Sequence, residues 1–348
     1  MDNGGSLHLS GLFPTELSSW LVQHHQASYR GQQIFQWIHR QTVQDFSQMT
    51  NLPKSLQTKL REEFGTPLPL KLVTLRLSQD GTEKYLFALN DGATIESVLI
   101  PEEDRQTLCV SSQVGCAMNC SFCATGKSGF MRNLSAGEIV AQVLWVENRL
   151  KDQRLTLSNV VYMGMGEPLA NYNAVIKSIR LLNDPQGLNF GARRITISTC
   201  GLVPQIRRLA QDGVQVNLAI SLHAVTDQSR SAVMPINKSF PISELLDAAN
   251  YFSTQTGRRV SFEYALIAGF NDGLEQANQL KNLLRTRLCH VNLIPVNPVG
   301  SEERPSSVRI KAFAQVLEQG GVQVSIRKER GTDIEAACGQ LRQSMLEE

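Results

Sequence analysis

Cys116-Ala117-Met118-Asn119-Cys120-Ser121-Phe122-Cys123 carries three of the chain's seven cysteines, spaced C-x3-C-x2-C. Thiolates are soft ligands that suit iron–sulfur clusters or zinc. A cluster of four irons takes one cysteine per iron. Three cysteines therefore leave one iron open to another ligand, much as a catalytic zinc keeps an open position. Zinc sites more often join one C-x2-C to a second ligand pair, and no such second pair is present. The remaining reading of the triplet is three buried structural cysteines.

Working outward from this loop, short apolar runs alternate with amphipathic stretches. The runs at 107–112, 158–163, 193–198, 215–221, 260–266, 289–294 and 322–327 read as strands. Those at 135–150, 171–183, 202–212, 242–256, 273–286 and 307–320 read as helices. Such alternation predicts an α/β fold, a parallel sheet with helices outside, as a partial or complete (β/α) barrel. In barrels of this type the chemistry gathers where the strands end.

Four strand ends carry candidate groups. Gly164-Met165-Gly166-Glu167-Pro168 follows the second strand. Its glycines let backbone approach a ligand, and Glu167 offers an acceptor for an ammonium group, although most Gly-x-Gly turns are merely turns. Ser198 and Ser221 end the next two, as sites for a ligand or as helix caps. Leu222 and His223 follow Ser221, and His223 is either a hydrogen-bonded structural imidazole or a catalyst. Asn297, after the sixth strand, binds a ribose or carboxylate or forms a turn before proline.

Ahead of this core, residues 1–75 read as helical, with Leu52, Leu56 and Leu60 at helical spacing. This is a packing unit or an accessory RNA-binding unit. Two β-rich runs then flank Asn90-Asp91-Gly92 and predict a hairpin connector over 76–104. Glu96, the one acid in its strand, points to water or acts as a catalytic carboxylate. Residues 105–348 form the remaining unit. Near its end, Cys338 sits among small residues, either as an accessible thiol or as a small buried one.

Of the 348 residues, 42% are hydrophobic and 19% charged, which reads as soluble and globular. No basic-then-apolar leader or membrane-length run is present, so a cytoplasmic location is expected. The net charge of +2 confines any nucleic-acid surface to local patches. Candidates are Arg193-Arg194, Arg207-Arg208, Arg258-Arg259 and Arg327-Lys328-Glu329-Arg330.

The triplet followed by Ala124-Thr125-Gly126 resembles the cluster loop of radical S-adenosylmethionine enzymes. Cys109-Val110-Ser111-Ser112-Gln113-Val114-Gly115-Cys116, Gly-Met-Gly-Glu-Pro, Ser-Leu-His, Asn-Leu-Ile-Pro and the terminal Ala-Cys-Gly-Gln-Leu occur in the order of the RlmN/Cfr RNA methyltransferases. The resemblance is tightest over 96–341 and implies the radical S-adenosylmethionine type of partial barrel. It implies that Cys116, Cys120 and Cys123 hold a 4Fe–4S cluster. Gly166, Glu167, Ser198, Ser221, Leu222, His223 and Asn297 would contact S-adenosylmethionine, two molecules being used per turnover. Cys338 would carry the methyl group, Glu96 would accept the ring proton, and Cys109 would resolve the protein–RNA adduct through a transient disulfide with Cys338. Cys200 and Cys289 match no catalytic role and read as packing residues.

Pro168 and the stretch 327–331 look more like RlmN than Cfr. That implies methylation of carbon 2, rather than carbon 8, of adenosine 2503 in 23S ribosomal RNA, and of adenosine 37 in transfer RNA. An electron donor such as flavodoxin or ferredoxin and a monomeric state complete the expectation. Two rivals are a radical enzyme acting on a non-RNA substrate and a metal-binding module without catalysis.

Overall fold

The computed structural model describes residues 7–297, 303–337 and 339–341. Three helices open it: α1 (Pro14–Gln23), α2 (Arg30–His39) and α3 (Lys54–Phe64). Each buries an apolar face, with Leu17, Ile34, Phe35, Leu56 and Leu60 at most 1% exposed. Three antiparallel strands follow: β1 (Leu70–Leu77), β2 (Glu83–Leu89) and β3 (Thr94–Glu102). The next strand, β4 (Arg105–Cys109), pairs antiparallel to β3 on one side.

From β4 the sheet becomes parallel. It continues through β7 (Asn159–Tyr162), β8 (Ile195–Thr199), β9 (Asn217–Ser221), β10 (Val260–Leu266), β11 (Cys289–Pro295) and β12 (Val324–Ile326). All seven expected strands are present in this parallel run. The six expected helices are α5 (Ala136–Asp152), α6 (Tyr172–Asn183), α7 (Val203–Gln211), α9 (Ile242–Thr256), α10 (Leu274–Leu284) and α11 (Ser307–Gln319). The short helix α8 (Asp227–Val233) is additional. A hairpin of β5 (Gln113–Gly115) and β6 (Phe130–Asn133) encloses the cysteine loop and the single turn α4 (Ala124–Lys127).

The sheet holds ten strands in the order β1-β2-β3-β4-β7-β8-β9-β10-β11-β12, so the expected partial barrel is extended by the hairpin strands. One expectation is displaced. β1 runs from Leu70 and crosses the expected end of the helical unit at 75. A bulge between Leu72 and Thr74 breaks the alternation that would have marked it as a strand. The strand expected at 107–112 also stops at Cys109. There the chain leaves the ladder, and Ser112 and Gln113 donate their N–H groups to the Met165 carbonyl (2.8 and 3.1 Å).

The N-terminal helices share one apolar core with the barrel. The Ser10 hydroxyl donates to the Gly137 carbonyl (3.0 Å), and the backbones of Gly11 and Gly137 approach too closely for a side chain at either. No described helix is long and apolar enough to cross a membrane.

Candidate active site

A cavity of about 180 Å³ opens where the parallel strands end. Cys116, Cys120 and Cys123 line it together with Gly166, Glu167, Ser198, Ser221, His223 and Asn297. Residues drawn from five separate βα units are thus brought to one place. Leu222 is fully buried in the core and is not a lining residue. Its backbone instead spans the sheet, its N–H donating to the Glu263 carbonyl (3.0 Å).

The cysteine loop is held from both sides. The Cys116 N–H donates to the Gly129 carbonyl (2.8 Å), and the Ser121 N–H to the Val233 carbonyl (3.0 Å). Burial pushes the Cys116 thiol up to about 11, aided by the charges of Glu167 and Cys123. Burial and the charges of Cys123 and Cys116 push Cys120 up to about 12. Such thiols resist ionising alone, and a cationic metal centre reverses that preference.

The glycine loop packs on the strand leading into the cysteines. At Gly166 φ is +102°, and a Cβ there would lie 2.5 Å from the Gln113 Cβ. Gln113 Oε1 accepts the Glu167 N–H (2.8 Å). Glu167 is buried, and its oxygens accept N–H bonds from Leu169 (3.0 Å) and Cys200 (2.7 Å). Burial raises its carboxyl, and these bonds oppose the rise.

His223 is structurally tied, with φ at +56° and Nδ1 accepting the Ala265 N–H (2.9 Å). That bond leaves the ring proton on Nε2. Burial, with Arg230 nearby, holds the imidazole down at about 3, so it is neutral near pH 7.

Glu96 and Cys109 do not line the cavity. Glu96 is 2% exposed, which excludes the reading that it points to water. It faces the Lys84 ammonium at 3.1 Å. Cys109 is buried at the end of β4, opposite Val98. Cys338 lies outside the described residues. Its neighbour Gly339 lines the cavity, and the Gly339 carbonyl accepts the Ala124 N–H (2.7 Å). No disulfide joins two described cysteines.

Residues 7–65 match the family described as "Ribosomal RNA large subunit methyltransferase N-terminal domain", and residues 110–280 match the radical SAM superfamily. The chain is 48% identical over 329 residues to a "Probable dual-specificity RNA methyltransferase RlmN" of Geobacillus kaustophilus, covering 94% of this chain and 90% of that one. It is 47% identical over 333 residues to the protein of the same description from Clostridium perfringens, covering 95% of both. The chain belongs to the RlmN family of radical S-adenosylmethionine RNA methyltransferases. A crystal structure of a radical SAM methyltransferase from Sphaerobacter thermophilus superposes with a TM-score of 0.95 at 49% identity, covering 97% of this chain and 100% of that one.

Membership in the RlmN family implies a 4Fe–4S cluster with S-adenosylmethionine, and the donor set fits that group. Three thiols line one cavity beside a buried carboxylate, two hydroxyls and an imidazole. A 4Fe–4S cluster takes one thiolate per iron, so the triplet supplies three of its four ligands.

Several lining residues escaped the sequence reading. Cys200, expected as a packing residue, does pack against Val233 and Met234 but also lines the cavity beside Glu167. Its thiol is pushed well up by burial and by that carboxylate. Glu263 also lines the cavity, as does Arg327, which the sequence offered only as part of a basic cluster. Glu263 is the one acid in the strand β10, the same signal that singled out Glu96. Arg230 gave no signal, yet its fully buried guanidinium donates to the carbonyls of Cys200 (2.7 Å), Ser221 (3.0 Å) and Leu222 (3.1 Å).

The arginine pairs are mostly misplaced for RNA at this cavity. Arg193-Arg194 and Arg258-Arg259 precede β8 and β10, at the strand ends away from the cavity. Arg207 and Arg208 lie over the rings of Tyr251 and Tyr172. Of the four clusters only 327–330 follows a strand end beside the cavity.

Proposed function

We propose that this chain methylates carbon 2 of adenosine 2503 in 23S ribosomal RNA and of adenosine 37 in transfer RNAs, acting in the cytoplasm as a monomer with a flavodoxin or ferredoxin as reductant. The carrying observation is one cavity lined by the cysteine triplet, Glu167, Ser198, Ser221, His223, Asn297 and Gly339. The naming of the relatives as dual-specificity RNA methyltransferases supports the two RNA classes.

Cys116, Cys120 and Cys123 would hold the cluster, with S-adenosylmethionine beside it in the same cavity. When bound, the pair supplies the one-electron chemistry that an electron-poor ring carbon requires. The chain's own groups do the rest. Glu167 receives the ammonium group, while Ser198, Ser221, His223, the Leu222 backbone and Asn297 orient the nucleoside and carboxylate. Cys338, as its thiolate, takes the methyl group of one S-adenosylmethionine, with S-adenosylhomocysteine as the leaving group; after that methyl group has given up one hydrogen atom to the one-electron chemistry, its carbon bonds to the adenine, so that protein and RNA become covalently joined. Glu96 accepts the proton lost from ring carbon 2. The Cys109 thiolate then attacks the Cys338 sulfur. The sulfur–carbon bond breaks, the carbon stays on the RNA with that electron pair and takes up a proton to complete the methyl group, and a disulfide forms that a reductant must reopen. The N-terminal helical unit and the basic stretch 327–330 contact RNA, with the base withdrawn from its stack.

Mass spectrometry of both RNA classes, from cells lacking and regaining this gene, tests the reading. 2-Methyladenosine should vanish and return at both adenosines; 8-methyladenosine instead would assign the Cfr reaction. Cys109→Ala should accumulate a protein–RNA species on a denaturing gel, and normal turnover of that variant would remove Cys109 from the scheme.

A further inference from the structure

We propose that Lys84 is a positioning residue that fixes Glu96 relative to the C-terminal segment leading to the cavity. The proposal rests on the reading of Glu96 as proton acceptor. Lys84 lies in β2 and Glu96 in β3, diagonal across the ladder, since Lys84 pairs with Val98 and Leu86 with Glu96. The ammonium stands 3.1 Å from Glu96 Oε1, with the two side chains 7% and 3% exposed. The same ammonium donates to the Glu335 carbonyl at 3.2 Å. One buried cation therefore joins the carboxylate and the backbone of a segment some 250 residues away in sequence.

That segment is fastened at both ends. Asp333 accepts from the Ser78 hydroxyl and the Gln79 N–H, and Asp80 accepts the Gly331 N–H (3.0 Å). At the far end the Gly339 carbonyl accepts from Ala124, and the Leu341 carbonyl from the Thr125 hydroxyl (2.5 Å). Between these two ends, the Lys84 fastening also touches Glu96. A buried ion pair is weak support for stability, because apolar residues of similar volume stabilise as well or better. A lysine here is therefore explained by position. It orients the carboxylate, and it sets the height of the segment above the carboxylate.

The test compares Lys84→Met with Glu96→Gln, both as iron-loaded enzyme. Lys84→Met should turn over at least about 100-fold more slowly, the scale of a lost general base. It should also accumulate the covalent protein–RNA species, as Glu96→Gln should. Lys84→Arg should recover part of the rate. In the iron-free protein, amide exchange over 331–337 should speed roughly tenfold in Lys84→Met while the β2–β3 amides stay protected. Should Lys84→Met fail to fold, Lys84→Gln carries the same comparison. Parental turnover in Lys84→Met, or lost turnover without the adduct, overturns the proposal while leaving Glu96 as the base. Parental turnover in Glu96→Gln overturns the reading of Glu96 itself, and the proposal with it.

Discussion

Arg230 holds the cavity wall with a single side chain. Its guanidinium reaches three backbone carbonyls and the Asn237 side chain (3.0 Å), drawing together the ends of β8 and β9. Burial pulls its own proton affinity down, and the charges of Cys200, Cys120 and Asp227 oppose that. A lysine has one compact ammonium in place of this planar fork. Arg230→Lys should leave acceptors buried without donors, at a cost of roughly 1–3 kcal/mol each. We expect a lower urea midpoint, and lower iron content after reconstitution because Ser121 is bonded to Val233 of the helix that carries Arg230. An unchanged midpoint with full iron would show that the wall stands without the fork. The sequence hides this residue for a physical reason. Ligand thiols announce themselves by spacing along the chain, but a buried arginine is defined only by carbonyls that folding brings to it.

Among the elements, the glycine loop and the strand entering the cysteine loop meet too closely for a side chain at Gly166. Gly166→Ala would place a methyl group against Gln113 in a backbone region that side chains rarely adopt. Strain of about 1–3 kcal/mol should separate the two loops and displace Glu167, whose N–H is held by Gln113. Calorimetric binding of S-adenosylmethionine should weaken at least about tenfold, each ~1.4 kcal/mol being a factor of ten, with iron content near parental. Equal affinity would remove Glu167 from that role. The order of the parallel strands and their helices was legible because each carries its own period and turn residues. β1 was not, since its bulge shifts the alternation midway, and β5 and β6 were too short to show a period. The burial of Glu96 was not legible, since its strand left it either facing water or acting as a catalytic carboxylate. Its ion pair depends on a diagonal across two strands, which no single strand displays.

For the whole molecule, a net charge of +2 means that RNA is selected by where cations stand rather than by how many there are. The barrel sorts them by strand polarity. Arg193 and Arg194 stand before β8, at the end away from the cavity, whereas Lys328 and Arg330 stand after β12, beside Arg327 at its rim. The N-terminal helices share the core of the barrel, so deleting them would perturb folding and RNA binding together. Charge neutralisation separates the two. Lys328→Gln with Arg330→Gln should weaken binding of a substrate RNA hairpin roughly tenfold and reduce the salt slope by about 1–2, the scale of one or two lost phosphate contacts. Arg193→Gln with Arg194→Gln should leave both quantities unchanged. Gel-shift titrations at several salt concentrations decide the matter. The opposite ranking would put the RNA on the face where the strands begin, and the adenine could then reach the cysteine triplet only through the body of the sheet.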